Sequence, residues 1–394
     1  MPDLSCRFAG VDLRNPIIAA PAAITENADR LKRCEDAGCG AAVIKSYFEY
    51  EPARHSPTPR FAVLHDDLGR HDCITLYSFE QANVSGLEDF CEQIRRAKEA
   101  CEMPIFASLN CNTDERWAEG ARMVQQAGAD AIELNVSCPH GTHQMAHLPM
   151  GEVMAHAVEV AASACDLPII PKVSPQLDNP LAAVVHLQER GADGVVMFNR
   201  FTGLDVDLQT EAPIMHGGYA GHGGPWAIHY TMRWISETSR HVTIPIAASG
   251  GVATGADVVK LLLVGATVIE TCTAIVMEGY GVVGKLLEGL TVFMQEKGYE
   301  RLDDFRGKAA TRILGNDEID RVGRRYAVVA VDRCVNCGLC QRVCIYDAPA
   351  QVDRHREISV EACDGCGLCV ELCPKRCISM VERDTLRTWQ PGVK

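Results

Sequence analysis

Three features are missing from this chain of 394 residues, and each closes off a class of function. It has no run of about 18 consecutive apolar residues, the length a membrane-spanning helix needs, and Met1 to Asn15 lacks the basic-then-apolar pattern of a secretory leader. A cytoplasmic protein with no membrane partner is expected. Positive charge is also scarce, with 38 Lys and Arg against 52 Asp and Glu and a formal net charge of -14. Nucleic acid and anionic membranes both need a basic footprint, so neither is an expected partner. Finally, no glycine fingerprint for a nicotinamide cofactor, with its strand, helix and acidic residue, is apparent. Any NAD(P)H is therefore expected to act through another subunit.

The composition that remains is that of a folded protein, 47% hydrophobic and 23% charged, long enough for one large domain and one small one. Nineteen cysteines would mean a disulfide framework in a short secreted chain. Here eight of them gather at regular spacing near the carboxyl end, as metal ligands do, and most of the rest read as small buried hydrophobes.

From Ile17 to Thr271, apolar strand-like runs alternate with helical patterns. Candidate strands lie at 16–20, 41–45, 105–109, 131–136, 169–173, 194–198, 244–248 and 267–271. Helix candidates lie at 26–37, 86–101, 115–127, 152–164, 179–189, 227–239, 254–263 and 281–296. Eight strands, each followed by a helix, in about 280 residues are the pattern of a (β/α)8 barrel, an α/β fold, rather than an open sheet. Gly38, Gly128, Gly191 and Gly265 stand where helices should stop. The connections 46–85 and 200–225 are too long for simple turns and both follow strands, which places them at the carboxyl face, where loops build active sites and lids. The expected division is a barrel over 1–298, a polar connector over 299–325 and a small α+β domain over 326–394.

That second domain carries the most specific signal. Cys334, Cys337, Cys340 and Cys344 repeat in spacing as Cys363, Cys366, Cys369 and Cys373, with Pro374 following. Two C-x2-C-x2-C-x3-C runs are the signature of a bacterial-type ferredoxin domain with two [4Fe-4S] clusters, in which the fourth Cys of each run crosses to the other cluster. Three thiolates on one loop can bind three corners of a cubane, so the fourth must arrive from elsewhere. Paired structural zinc sites would leave the x3-spaced cysteines idle. Cys377 is left over and reads as a core thiol. Such clusters move single electrons, so the barrel needs a centre that accepts electrons singly and delivers them in pairs, and a flavin is the obvious candidate.

In the barrel, Ala131 to Gly141 draws the candidate chemistry together: a strand carrying Glu133 and Asn135, then the turn Ser137-Cys138-Pro139-His140-Gly141. Cys138 is a candidate for the chemistry. Ser249-Gly250-Gly251 and Thr271-Cys272-Thr273 follow strands 7 and 8, where barrels hold phosphate, and offer amides and hydroxyls to an anion. Lys45 and Lys172 end strands 2 and 5 and have no apolar reason to be there, so both are candidate cofactor ligands. Asn135 and Asn199 end strands 4 and 6.

Taken in order, Asn135 to Gly141, Pro171-Lys172-Val173-Ser174-Pro175, Ser249-Gly250-Gly251, Cys272-Thr273-Ala274-Ile275 and the two cysteine runs resemble the catalytic half of the dihydropyrimidine dehydrogenases. The barrel alone is similar to the dihydroorotate dehydrogenases. The resemblance covers nearly the whole chain. It implies FMN in the barrel, two [4Fe-4S] clusters in the tail, and oxidation or reduction of a carbon-carbon bond next to a carbonyl in a small cyclic substrate. By position, Ala20, Lys45, Ser46, Lys172, Asn199, Ser249, Gly250, Gly251, Cys272 and Thr273 would contact FMN, while Asn135 and Asn199 would hold the substrate or the flavin edge. It also implies a ferredoxin or an NAD(P)H-oxidising flavoprotein subunit as electron partner, and a homo-oligomer.

Where the match fails, new chemistry is expected. The family's proton-transferring Cys lies in the loop after the Cys-Pro-His-Gly turn, but here 142–151 has neither Cys nor Ser and places Met150 at that position. Met cannot move a proton, whereas His143 or His147 can, with an ordinary pKa near ~6.5. The resemblance puts Cys138 at the turn itself. Among the positions that would read a pyrimidine edge, Glu80 is kept and Ser78 replaces an Asn; Arg200 replaces a Thr beside Asn199. A guanidinium there suits an anionic or carbonyl-rich substrate, unless it turns outward to Asp205 and Asp207. Two other readings follow from the same residues: an electron-transfer subunit whose barrel turns nothing over, and a relative of the tRNA-dihydrouridine synthases, against which the acidic charge counts.

Overall fold

The computed structural model describes residues 2–56, 58–64, 74–79, 82–136, 149–321 and 323–387. Eight parallel strands close into a barrel: β1 (Ile17–Ala19), β2 (Ala41–Phe48), β3 (Ile105–Asn110), β4 (Ala131–Leu134), β5 (Ile169–Val173), β6 (Val195–Met197), β7 (Ile246–Ser249) and β8 (Val268–Thr271). The strand alternation therefore holds, with ends moved by a few residues. At β4 the ladder stops at Leu134 rather than Val136. Asn135 still donates its N–H to the Leu109 carbonyl (2.8 Å), but its own carbonyl turns to the Asn110 side chain (2.7 Å).

The helices around the barrel are α1 (Ala28–Asp36), α2 (Leu87–Ala100), α3 (Asp114–Gln126), α4 (Met150–Ala164), α5 (Pro180–Glu189), α6 (Ile228–Thr238), α7 (Gly255–Leu263), a short α8 (Thr273–Glu278) and α9 (Val282–Lys297). Their ends follow local chemistry. Asn27, Thr113, Asn179 and Thr254 cap α1, α3, α5 and α7 by accepting the N–H three residues on. Gly38 and Gly128, at φ 103° and 89°, follow α1 and α3, where a side chain would be strained.

The two mouths of the barrel are closed differently. At the amino end a hairpin, Cys6–Phe8 paired with Val11–Leu13, places Phe8, Ala9 and Leu13 against a layer of Ile18, Val43, Phe106, Ile170, Val196 and Val268. Phe8 stacks on Phe106 at 6.5 Å between ring centroids. At the carboxyl end the two long connections pair with each other. Strands Phe61–Leu64 and Thr75–Ser78 from the first, and Phe201–Gly203 and Ala220–Gly223 from the second, form one antiparallel four-stranded sheet.

The chain splits into compact units at Met1–Ile313 and Leu314–Lys394. Half of the stretch read as a connector therefore belongs with the barrel: Leu302 and Phe305 are buried, and the N–H groups of Gly307 and Ala309 bond the carbonyls of Leu262 and Leu263 (both 2.9 Å). In the second unit, Gly323–Val329 pairs with Ile378–Arg387 and Pro349–Val352 with His355–Ile358. Two short helices, α10 (Leu339–Val343) and α11 (Leu368–Leu372), each follow a left-handed glycine, Gly338 and Gly367, inside a cysteine run. Among the described residues no helix is long and apolar enough to cross a membrane.

If the amino-terminal hairpin closes the barrel floor, Phe8→Ala should cost about 3–5 kcal/mol, the usual loss for a buried Phe. Denaturant unfolding read from barrel tryptophan fluorescence measures it, and a loss under about 1 kcal/mol would show that the hairpin is peripheral.

Candidate functional site

At the carboxyl mouth lies a cleft whose open volume is about 1310 Å³, counting solvent at its rim. Ala20, Lys45, Ser46, Lys172, Asn199, Ser249, Gly250, Gly251, Cys272 and Thr273 all line it, together with Ser78, Asn135 and Arg200. These residues come from strand ends and loops spread over the whole barrel. Glu80, Cys138, His143 and His147 lie outside the described residues.

The floor is charged. Lys172 is buried on β5, with Nζ 2.5 Å from Oε2 of Glu270 on β8 and 3.4 Å from Oε1 of Glu133 on β4. Both carboxylates are buried too, and among the described residues Oε2 of Glu133 has no hydrogen-bond partner. Burial, the negative charge of Glu270 and only partial relief by Lys172 push the Glu133 carboxyl well above its usual range. Burial opposes the charge on Lys172, but the two carboxylates outweigh it and hold the ammonium charged. On β2, Lys45 is buried with Nζ 3.2 Å from Oε1 of Glu26, so it is not the solvated rim cation of an ordinary barrel edge.

Above this floor a hydrogen-bonded chain crosses the mouth. The Ser108 and Ser46 hydroxyls are 2.7 Å apart, and Asn135 Nδ2 donates to Ser46 Oγ at 3.1 Å. Asn199 Nδ2 donates to Asn135 Oδ1 (2.9 Å), and Asn199 Oδ1 accepts the Arg200 N–H (3.0 Å). Arg200 Nη1 then donates to Ser78 Oγ at 3.1 Å. Both amide groups thus have their orientation set by partners on each side. The guanidinium lines the cleft and is bound to the cap sheet. Gly221 permits that path: a Cβ there would stand 2.1 Å from Arg200 Cδ.

The loop after β7 is shaped by its glycines. Gly250 and Gly251 take φ 111° and 83°, and a Cβ on Gly251 would meet the Ile228 nitrogen at 2.2 Å. Ser249 to Gly251 therefore packs directly on the start of α6. Next to it, Thr271 Oγ1 is buried and has no partner among the described residues. A tight glycine loop, an unsatisfied hydroxyl and two buried ammonium groups are a donor set suited to an anionic, hydrogen-bonding ligand.

His222 was not anticipated from sequence. It sits on the cap strand Ala220–Gly223 and lines the cleft, stacked on Trp226 at 5.7 Å. Its Nδ1 is buried without a partner among the described residues, and burial lowers its pKa, which keeps the ring neutral at pH 7. The one sequence signal for it is a histidine set among glycines, Gly221-His222-Gly223-Gly224, in a long connection at the carboxyl face.

In the second unit, Cys334, Cys337, Cys340 and Cys373 line one cavity. Cys363 and Cys366 neighbour Cys369, whose thiol burial pushes up to about 11, and Cys344 and Cys366 neighbour Tyr346. Among the described residues no three such side chains converge closely enough for a single metal ion.

Comparison with known proteins gives the family of each part of the chain. The family described as dihydroorotate dehydrogenase matches residues 3–294, and the 4Fe-4S dicluster domain matches residues 327–374. The chain is similar to the NAD-dependent dihydropyrimidine dehydrogenase subunit PreA of Escherichia coli K12, at 29% identity over 89% of this chain and 87% of the relative. It is also similar to the catalytic subunit of dihydroorotate dehydrogenase B (NAD(+)) from Methanothermobacter thermautotrophicus, at 30% identity over 78% of this chain and 98% of the relative. The corresponding subunit from Pyrococcus abyssi is 28% identical over 78% and 99%.

The Glu133 carboxyl has a testable consequence. Because its native pKa is raised above 4.5, the native state holds a proton that the unfolded chain releases once pH exceeds that value, and stability falls as pH rises through that window. Glu133→Gln stays neutral at every pH. Denaturant titrations from about pH 5 to about pH 8 should therefore show a shallower decline for the variant, and parallel curves would mean that Glu133 is ionised in the native state.

Proposed function

Because the chain belongs to the dihydroorotate dehydrogenase family, we propose that its cleft holds FMN on the charged floor and, under the cap sheet, a small cyclic substrate whose carbon-carbon bond lies next to a carbonyl. The chain is an oxidoreductase of the class that acts on CH–CH bonds. The observation that carries the finer reading is the hydrogen-bonded chain from Ser46 through Asn135 and Asn199 to Arg200 and Ser78, which lines the same cleft as Lys172.

Gly250, Gly251 and Thr273 suit the phosphate, and Lys45 and Lys172 suit the electron-rich edge of a flavin ring. Bound there, FMN supplies hydride exchange with the substrate and single-electron exchange with iron-sulfur clusters. Asn135 and Asn199, each held by a neighbour, present their remaining donors toward the cleft and orient a carbonyl-bearing ring. Arg200 gives the outer end of the cleft a cation, which favours a substrate with an anionic or carbonyl-rich edge over uracil or thymine. The proton on the second carbon is assigned to His143 or His147. His222 is the second reading, because its neutral ring lines the cleft.

In the second unit, the eight cysteines of the two runs are assigned to two [4Fe-4S] clusters, one held by Cys334, Cys337, Cys340 and Cys373 and the other by Cys344, Cys363, Cys366 and Cys369. The relatives are named as subunits that use NAD, so electrons are assigned to a partner that oxidises NAD(P)H, or to a ferredoxin.

Anaerobically purified protein, reduced and screened against cyclic unsaturated amides and acids for flavin reoxidation, tests the substrate class. With the compound found, Arg200→Ala should raise KM about 10- to 100-fold with kcat little changed, the loss expected for one charge-assisted contact. An unchanged KM would remove Arg200 from the substrate site. Single Ala variants at His143, His147 and His222 should leave one with kcat lowered by about 10²–10⁴-fold, and full turnover in all three would rule out a histidine as the proton-transferring residue.

A further inference from the structure

The two cysteine runs are repeats in spacing but opposites in charge. Aligned on their cysteines, Arg342 stands where the second run has Glu371, and Val335 where it has Asp364. After the fourth cysteine of each run, Lys375, Arg376 and Cys377 correspond to Tyr346, Asp347 and Ala348. Because Cys373 lines the cavity of Cys334, Cys337 and Cys340, Lys375, two residues on, falls beside that set of thiols. Arg356 and Lys375 line the cavity directly, and Arg342 Nη1 donates to the Cys337 carbonyl at 3.2 Å. The other set has Asp364 beside it, hydrogen-bonded to Tyr346 near Cys344 and Cys366.

Cys377 sharpens the asymmetry. It is buried, lines the same cavity, and places both its Sγ and its backbone nitrogen 3.4 Å from Cys373 Sγ. A cysteine that ligates iron is a thiolate and has no proton to give, so both contacts are donated by Cys377. Ala348 holds the equivalent position in the other repeat and has no S–H group to offer. Positive charge and hydrogen bonds to ligand sulfur both favour the more negative, reduced cluster.

We propose that the cluster held by Cys334, Cys337, Cys340 and Cys373 is the more readily reduced of the two, and that Cys377 is the positioning residue that makes it so by donating N–H and S–H to the Cys373 sulfur. The inference rests on the two-cluster reading above. The step it governs is a one-electron transfer from the cluster of Cys344, Cys363, Cys366 and Cys369, which is oxidised by one electron, to the first, which is reduced by one. No bond forms or breaks, and electrons in this domain collect beside Cys373.

The test is a redox titration of the full, anaerobically reconstituted chain, followed by electron paramagnetic resonance with iron counted. About eight irons per chain and two separable reduction waves are expected. Cys377→Ala should move the higher wave down, shifting the equilibrium between clusters about tenfold toward the other one and leaving the lower wave in place. Cys377→Ser, which keeps a donor, should restore most of the shift. Arg356→Gln should move the same wave in the same direction, and added salt should narrow the gap, because Arg342, Lys375 and Arg376 are exposed. The proposal is overturned if iron is retained but neither Cys377→Ala nor Arg356→Gln moves the higher wave, if the lower wave moves instead, or if Cys377→Ala loses half its iron and so marks a ligand. About four irons in the unaltered chain would instead overturn the two-cluster reading itself.

Discussion

An ammonium held inside a barrel has to be compensated where it stands, and that constraint organises the large unit. Removing Lys172 from water costs several kcal/mol unless carboxylates replace the lost hydration. Glu133 does so from the neighbouring β4 and Glu270 from β8, three strands round the barrel, 39 and 98 residues away in sequence. Two carboxylates around one ammonium leave a surplus negative charge in a dry interior, and a retained proton on Glu133 relieves it. The barrel interior is thereby layered. Below lies the apolar tier closed by Phe8, and above it the charged tier that forms the cleft floor. Polar chemistry has only the carboxyl mouth to occupy.

The roof is built on different terms. Two loops separated by well over a hundred residues meet as one antiparallel sheet, with Gly221 opposite Ser78 in register. That register is what brings Arg200 to Ser78, since the guanidinium passes over the hydrogen left in place of a Gly221 side chain. The aromatic wall of Phe201, His222 and Trp226 is assembled by the same pairing. Floor and roof can therefore change independently: the floor residues belong to the strands that close the barrel, whereas the roof residues sit in insertions that the barrel does not need in order to fold. Lys172, Asn135 and Asn199 come to the cleft from the barrel strands and their ends, and Ser78 from the cap sheet that Arg200 bonds.

The small unit shows the same division between frame and detail. Gly338 and Gly367 occupy equivalent left-handed positions, so both runs take the same turn into a short helix. The frame is repeated because the thiol geometry requires it. The surrounding charges are under no such geometric demand, and they have opposite sign in the two halves.

Whatever is encoded over one turn of chain could be read from the sequence alone. Strand and helix periods, the stops at Gly38 and Gly128, and the cysteine spacings each depend on neighbours within a few residues, so they identified the barrel and the ferredoxin-like unit. Lys172 was recognisable because a lysine at a strand end has no apolar explanation. Its partners were not, because barrel closure selects them, and a pairing across 98 residues leaves no local pattern. The packing of Leu302 and Phe305 onto the barrel, the position of His222 over the cleft and the approach of Cys377 to Cys373 were likewise decided by tertiary structure. The physical reason is common to all of them. Backbone conformation answers to the residues next door, whereas a buried charge, ring or thiol answers to whatever the closed fold brings within hydrogen-bonding or packing distance.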